Sequence, residues 1–297
     1  MEVKTIGFVG LGLMGTAMAT NLAKAGFSLR GFDPNPAAVE ALSAHGMVGA
    51  ASPSEVANAV ELVIVMVPDV PELEATFSGA NGLLSTPGNG RIVMVMCTVD
   101  PSAVVRLAGD AQAAGWAYVD CPVGRTADDA KTANSMFMLG GDADAKAAVR
   151  PALDAMGTTV IDCGEVGHAM TIKIVNNFMS TVGAVVVAEA LRFAEAGGLS
   201  AEKVLEVVNG TVAGNGHSKM HFPNKVLAGD SSPGFAMKHA RKDVNIARMA
   251  MERAGFPCYL APGAIEAFDK GLELGHGDND WSDLYHVIEK ARKKDDS

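Results

Sequence analysis

The chain has 297 residues, 48% of them hydrophobic and 20% charged, enough for two domains of ordinary size whose cores need neither disulfides nor metals. Its 34 acidic side chains outnumber the 24 basic ones, and the net charge of -10 opposes the attraction on which nucleic-acid and anionic-membrane binding depend. No nucleic-acid or membrane partner is expected.

The N-terminus runs directly into "TIGFVG", without the basic region, apolar core and small-residue cleavage site of a secretory signal, so a cytoplasmic setting is expected. Up to about residue 162, β-rich runs ("TIGFV", "FSLRGF", "LVIVMV", "RIVMVM", "WAYVD", "SMFML", "TTVID") alternate with helix-like stretches. The early runs are apolar almost throughout, as parallel strands covered by helices on both faces should be. This predicts an α/β domain over residues 1–163, with a doubly wound, mostly parallel sheet.

The first strand leads into "GFVGLGLMGTAMATNLAKAG", where Gly10, Gly12 and Gly15, with Leu13 and Met14 between the last two, satisfy G-x-G-x-x-G. Alone such a match is weak. Here it follows a strand and opens a helix, and the next strand ends at Asp33 in "RGFDPN", which predicts a Rossmann-type dinucleotide site. The glycines would let the backbone approach a pyrophosphate at the helix N-terminus. Asp33 would accept hydrogen bonds from ribose hydroxyls and repel a 2′-phosphate, favouring NAD(H) over NADP(H). The competing reading is a glycine turn that only packs a helix on a sheet.

Farther along, "DCPVGRT" (120–126) places Arg125 among small residues just after an apolar strand; a solvated loop arginine competes with an anion anchor. Cys97, Cys121, Cys163 and Cys258 are widely spaced, form no C-x-x-C pair, and read as reduced thiols.

Beyond Gly164 the β-rich runs stop, and an all-helical domain is expected over 164–297. Ile172, Val175, Met179, Val182 and Val186 recur at steps of three and four, predicting a long linking helix from about 168 to 196. Its apolar tract, "FMSTVGAVVVAEAL", is interrupted by Ser180, Thr181 and Glu189 and falls short of the roughly 20 residues of a membrane span. On this helix Lys173, Asn177 and Ser180 share one polar face, at a place expected to be buried between the domains. Lost hydration would lower the lysine pKa from about 10.4 towards neutrality and suit it to proton transfer. An exposed lysine at a helix edge is the alternative. The seven histidines, including His217 in "GNGH", show no metal-ligand spacing, so no metal is expected. The tail "EKARKKDDS" is predicted to be frayed, with "ARKK" a solvated helix terminus rather than a binding patch.

Four separated motifs, "FVGLGLMGTAMATNLAKAGF", "DCPVGRTADDA", "GEVGHAMTIKIVNN" and "KHARKDVNIA", occur in the order of the cofactor, substrate, catalytic-helix and C-terminal signatures of the β-hydroxyacid dehydrogenases, which the chain resembles over its whole length. The resemblance implies a Rossmann-type NAD domain, then an all-α domain joined by a long helix. It implies Lys173 as catalytic acid and base, and Asn177 as a substrate hydrogen-bonding group. It places Lys242 near the nicotinamide and Val67, Pro68 and Thr98 along the cofactor cleft. A homodimer or homotetramer is expected by the same analogy.

Departures from the family pattern narrow the substrate. Most members carry a serine and two glycines where this chain has Gly124, Arg125 and Thr126, so a nest of neutral donors has gained a full charge. Cys97 replaces a usual serine, and Ala169 a glycine, which leaves their local contacts open. With "NNFMS", "NGTVAGNGH" and "FPNKVLAGDSSPGF", the G-R-T variant resembles the sulfolactaldehyde-reducing branch of the family, which works in sulfoquinovose degradation. That implies a small anionic hydroxyaldehyde or diol substrate, Arg125 as sulfonate anchor, and Asn176, Asn177 and Ser180 as further donors. Another short hydroxyacid or semialdehyde remains an alternative, as does a non-catalytic NAD-binding scaffold, against which Lys173 argues. Imine reductases, a related class, usually replace that lysine.

Overall fold

A computed structural model describes residues 2–292, which divide into two compact units, 2–173 and 174–292. In the first unit, strands β1 (Thr5–Val9), β2 (Ser28–Phe32), β3 (Val48–Gly49), β4 (Leu62–Val65), β5 (Ile92–Val95), β6 (Ala117–Asp120), β7 (Val123–Gly124), β8 (Ser135–Gly141) and β9 (Gly157–Gly164) form one sheet. The order is β3-β2-β1-β4-β5-β6-β8-β7, with β9 on the other side of β8. Strands β1 to β6 are mutually parallel, and β8 runs antiparallel to β6 and β7.

The apolar runs of β1, β4 and β5 are apolar because alternate residues supply two cores. Ile6, Phe8, Leu62 and Ile64 face one, with Met18 and Leu22 of helix α1 (Leu13–Lys24). Val9, Val63, Val65 and Val95 face the other, with residues of the later helices α4 (Val70–Phe77) and α5 (Pro101–Ala113). Each such side chain stabilises the sheet by roughly 2 kcal/mol relative to exposure. The helices α2 (Pro36–Ser43), α3 (Pro53–Ala57), α4, α5 and α6 (Ala127–Lys131) all begin on a polar side chain that caps a backbone N–H. Helix α1 begins on Gly12 with no side-chain cap. Helix α7 (Ala143–Met156) closes the unit against the first core.

Helix α8 (His168–Ala196) is continuous, as its spacing predicts. The division of the chain falls inside it, at Lys173/Ile174 rather than at 163/164, because its first turn belongs to the sheet unit: Met170 is buried in the second sheet core. In the second unit Ala184, Ala188 and Leu191 of α8 pack with α9 (Ala201–Asn209), the single turn α10 (Phe222–Asn224), α11 (Met237–Arg253), α12 (Ala261–Glu273) and α13 (Leu284–Ala291).

Two expectations need correction. Because the helix continues on both sides of the apolar tract, α8 is long and apolar enough to cross a membrane, with a mean hydropathy of 1.5 over its best window. Of its most apolar stretch, 44% is buried inside the protein. The predicted frayed tail is helical through Ala291; Lys293 to Ser297 lie outside the described residues.

Candidate active site

Four neighbouring parallel strands, β2-β1-β4-β5, bring the cofactor candidates to one edge of the sheet. Gly10 follows β1, Asp33 follows β2, Val67 and Pro68 follow β4, and Thr98 follows β5. The order reverses direction between β1 and β4, the switch point where open α/β sheets bind ligands. The three glycines answer different demands. Gly10 has φ +93°, and an added Cβ would lie 2.1 Å from the Met66 carbonyl oxygen. At Gly15 a Cβ would lie 2.2 Å from the Gly10 oxygen, so this glycine lets helix and strand touch. At Gly12 a Cβ would meet nothing within 4 Å: the space beside the uncapped N-terminus of α1 is open, flanked by the exposed Leu13 and half-buried Met14.

Asp33 is half-buried. Its Oδ2 accepts from the Leu11 N–H at 2.7 Å and its Oδ1 from the Asn35 N–H at 2.8 Å, so it also braces the glycine loop. Each oxygen keeps a further lone pair for a ligand hydroxyl. A groove of about 630 Å³ runs beside it, lined by Phe32, Asp33, Pro34, Pro36, Val39, Glu40, Ala50 and Ala51. Open glycine, uncapped helix and ribose-height carboxylate together fit a dinucleotide: α1 would hold its pyrophosphate and Asp33 its ribose.

At the end of β6 the chain breaks at Cys121 and Pro122 and resumes as β7, whose Gly124 is buried against Met136. Arg125 then takes φ +70°, a left-handed conformation shared among the described non-glycine residues only with Asn89 and Ala133, and one that costs about 1–2 kcal/mol. Its exposed guanidinium donates from Nη1 to the Asn134 carbonyl (2.6 Å), Asn134 Oδ1 (2.7 Å) and Thr158 Oγ1 (2.9 Å), and from Nη2 to Thr159 Oγ1 (3.3 Å). The Thr126 hydroxyl is engaged in a capping box, donating to Asp129 Oδ2 at 2.6 Å. Those Thr126 bonds hold the Asp129 carboxyl below the ordinary aspartate range.

Lys173, the last residue of the first unit, is half-buried on α8 one turn after Met170. The start of this helix is held by Asp120, a residue with no assigned part in the sequence reading. Asp120 Oδ1 accepts from Gly167 N–H at 2.9 Å and Oδ2 from Met170 N–H at 2.8 Å. Burial pushes its carboxyl above the ordinary range, against these two donors and nearby His168, which pull it down.

In the second unit Asn177 donates to Asp243 Oδ2 at 2.6 Å, and the exposed Asn176 donates to Asn177 Oδ1 at 3.0 Å. Lys242 lies 3.5 Å from Asp243 Oδ1, so the buried aspartate joins two sequence candidates from α8 and α11. Its signal was present in the sequence, since it falls one turn from Ala240 and Ala247 on the apolar face of α11.

Ser180 Oγ is 3.2 Å from His217 Nε2, which also lies 2.9 Å from the Ser180 carbonyl. Burial, and then the neighbouring His221, push the His217 pKa down to about 4; the Ser180 carbonyl and Asp280 act the other way. Its folded-state pKa is below the unfolded value of about 6.5, so its stabilising share is complete above pH 6.5 and is lost as pH falls towards 4, up to roughly 3 kcal/mol. Thermal unfolding followed from pH 7 to pH 4 should show a falling midpoint, with a flatter dependence in His217→Gln. An identical dependence in the variant would rule His217 out as a source. Among the described residues no group of three or more His, Cys, Asp or Glu side chains is placed to hold a metal, and all four cysteines are unbridged.

Two family models match the chain: the NAD binding domain of 6-phosphogluconate dehydrogenase over residues 5–167, and the NAD-binding of NADP-dependent 3-hydroxyisobutyrate dehydrogenase over 167–288. The chain is 36% identical to the 3-sulfolactaldehyde reductase of Escherichia coli (strain K12), over 95% of each chain. It is 31% identical to the NAD-dependent L-serine dehydrogenase of Pseudomonas aeruginosa, over 98% of this chain and 99% of that one. Its fold is similar to that of Mycobacterium tuberculosis 3-hydroxyisobutyrate dehydrogenase solved with L-serine, with TM-score 0.89, 29% identity, and 97% and 99% of the two chains covered. With the dinucleotide edge and the helical second unit that follows it, these matches carry one conclusion: the chain belongs to the β-hydroxyacid dehydrogenase family and is a nicotinamide-dependent oxidoreductase acting on CH–OH groups.

Proposed function

We propose that this enzyme reduces 3-sulfolactaldehyde to 2,3-dihydroxypropane-1-sulfonate with NADH, reversibly, in the cytoplasmic degradation of sulfoquinovose. When bound, the reduced nicotinamide supplies hydride to the aldehyde carbon. The chain's own part is to bind, orient and protonate. Lys173 Nζ donates a proton to the aldehyde oxygen as negative charge develops there, and regains one from solvent. Gly124, Arg125 and Thr126 take the anionic end of the substrate, with Asn176, Asn177 and Ser180 as further donors. Gly10, Gly12, Leu13, Met14, Gly15, Asp33, Val67, Pro68, Thr98 and Lys242 hold the cofactor.

The observation that carries this reading is Arg125 itself: a full charge at a left-handed backbone position, in the loop where the family resemblance implies glycine. Strain of this kind clusters at active sites and ligand clamps, which supports a binding role. The 36% identity to a sulfolactaldehyde reductase supports the sulfonate. A carboxylate substrate is the second reading, favoured by the bonds that already tie Arg125 to Asn134, Thr158 and Thr159. Following NADH absorbance with sulfolactaldehyde, succinic semialdehyde and tartronate semialdehyde separates the two; preference for either carboxylate overturns the sulfonate assignment.

Preference for NADH rests on Asp33. Its exchange for arginine removes charge-assisted bonds to the ribose, each worth about 1.5 kcal/mol or more, and offers a partner to a 2′-phosphate. The ratio of kcat/KM for NADH to that for NADPH should fall about tenfold or more in Asp33→Arg; an unchanged ratio refutes the role.

A homodimer or homotetramer belongs to the same reading. The second unit exposes Val175, Met179 (71%), Val186 and Phe193 (83%) along one flank of α8, a stripe of the kind that marks association surfaces.

A further inference from the structure

The two groups on which the proposed chemistry depends within the first unit, the Arg125 loop and the Lys173 turn, are joined by one side chain. Asp120 is the last residue of β6, five positions before Arg125, and is 0% exposed. It lies on the same face of the strand as Tyr118, among the residues that pack Met170 against the sheet. Both carboxylate oxygens are spent on α8: Oδ1 on the N–H of Gly167, just before the helix, and Oδ2 on that of Met170, one turn before Lys173. The N-terminal N–H groups of a helix otherwise lack partners, and a carboxylate there also meets the positive end of the helix dipole. The anchor is built to close tolerance: an added Cβ at Gly140, the partner of Asp120 across the sheet, would stand 2.6 Å from Asp120 Oδ1 and 2.7 Å from the Glu165 carbonyl oxygen.

We propose that Asp120 is a positioning residue for the reduction: by gripping the Gly167 and Met170 amides from the strand that carries the substrate loop, it fixes the height and direction from which Lys173 delivers its proton. This inference rests on the assignment of Lys173 as proton donor. Asp120 itself is fully buried, with both oxygens bonded to backbone amides, so it acts through the helix. An asparagine in its place keeps one carbonyl oxygen but turns an NH2 group towards the other amide, so one of the two anchors is lost and the first turn is free to shift. A displacement of about 1 Å in a reacting group lowers turnover by about 10²-fold.

The test uses the full-length enzyme and the aldehyde that the wild type reduces best. Asp120→Asn should lower kcat by about 10²-fold. NADH affinity, read by fluorescence titration, should stay unchanged, and KM should move far less than kcat. Gly140→Ala, which keeps the charge and displaces the carboxylate, should give the same split. A role in stability alone would lower the melting temperature and leave kcat per NADH-binding site at the wild-type value; that result in both variants overturns the proposal. If Asp120→Asn fails to fold, Gly140→Ala decides. Hydrogen exchange of the 164–173 segment in the cofactor-free protein gives a readout independent of turnover: faster exchange in the variants is expected, and unchanged exchange sinks the anchor. Full activity in Lys173→Ala would defeat the lysine assignment, whereas normal kcat in both Asp120 and Gly140 variants beside an inactive Lys173→Ala defeats this inference alone.

Discussion

Replacing Lys173 by alanine should lower kcat for aldehyde reduction by about 10³-fold or more while leaving NADH affinity intact. General-acid catalysis alone contributes about 10²–10⁴-fold, and an ammonium beside a developing alkoxide adds electrostatic stabilisation that no alanine replaces. The half-buried Lys173 stands where its helix leaves the sheet unit, on a turn held by Asp120 and by buried Met170, both of which the substitution leaves in place. NADH affinity separates this loss from damage to the cofactor edge, whose residues belong to the ends of β1, β2, β4 and β5. Lys173→Arg is the sharper variant. It keeps the positive charge but holds its proton at every working pH, so it should bind substrate and remain slow. Near-normal turnover in either variant removes Lys173 from the mechanism.

What the sequence made legible follows the range of the forces involved. Strands β1, β4 and β5 announce themselves because burial on both faces makes nearly every residue apolar, and α8 because apolar residues recur every third or fourth position, although the stripe that carries this spacing, with Val175, Met179 and Val186, is exposed in the structure. The two-residue strands β3 and β7 are too short to show any period. The reversal at β8 rests on pairing across the sheet, which leaves no local mark. The same holds in the candidate site. Gly10, Gly12, Gly15 and Asp33 were readable because the turn, the helix start and the next strand end sit within one continuous stretch of chain. Asp120 was not, because its partners Gly167 and Met170 lie far along the chain and a buried carboxylate looks like any strand-end aspartate until both are brought to it. Arg125 was half legible: its charge was conspicuous among small residues, but its bonds to Asn134, Thr158 and Thr159 depend on how β8 and β9 pair.

Arg125→Gly should raise KM for an anionic aldehyde by about tenfold to a hundredfold, matching the loss of charge-assisted bonds worth about 1.5–3 kcal/mol. A neutral aldehyde of the same length should lose almost nothing. The stability effect is expected to be small, and the reason is arithmetic on two opposed terms. Glycine relieves the left-handed backbone at φ +70°, worth about 1–2 kcal/mol, and forfeits exposed hydrogen bonds to Asn134, Thr158 and Thr159 worth a similar amount together. A folding defect therefore cannot stand in for a binding defect, and the melting temperature is the control. Arg125→Lys should recover part of the affinity through its charge, but not the two-pronged geometry, while retaining the backbone strain. If Arg125 serves only to tie its loop to β8 and β9, both aldehydes lose efficiency equally in Arg125→Gly and Asn134→Ala reproduces the loss. If Arg125 binds the anion, Asn134→Ala leaves the charge in place and the preference for the anionic substrate survives.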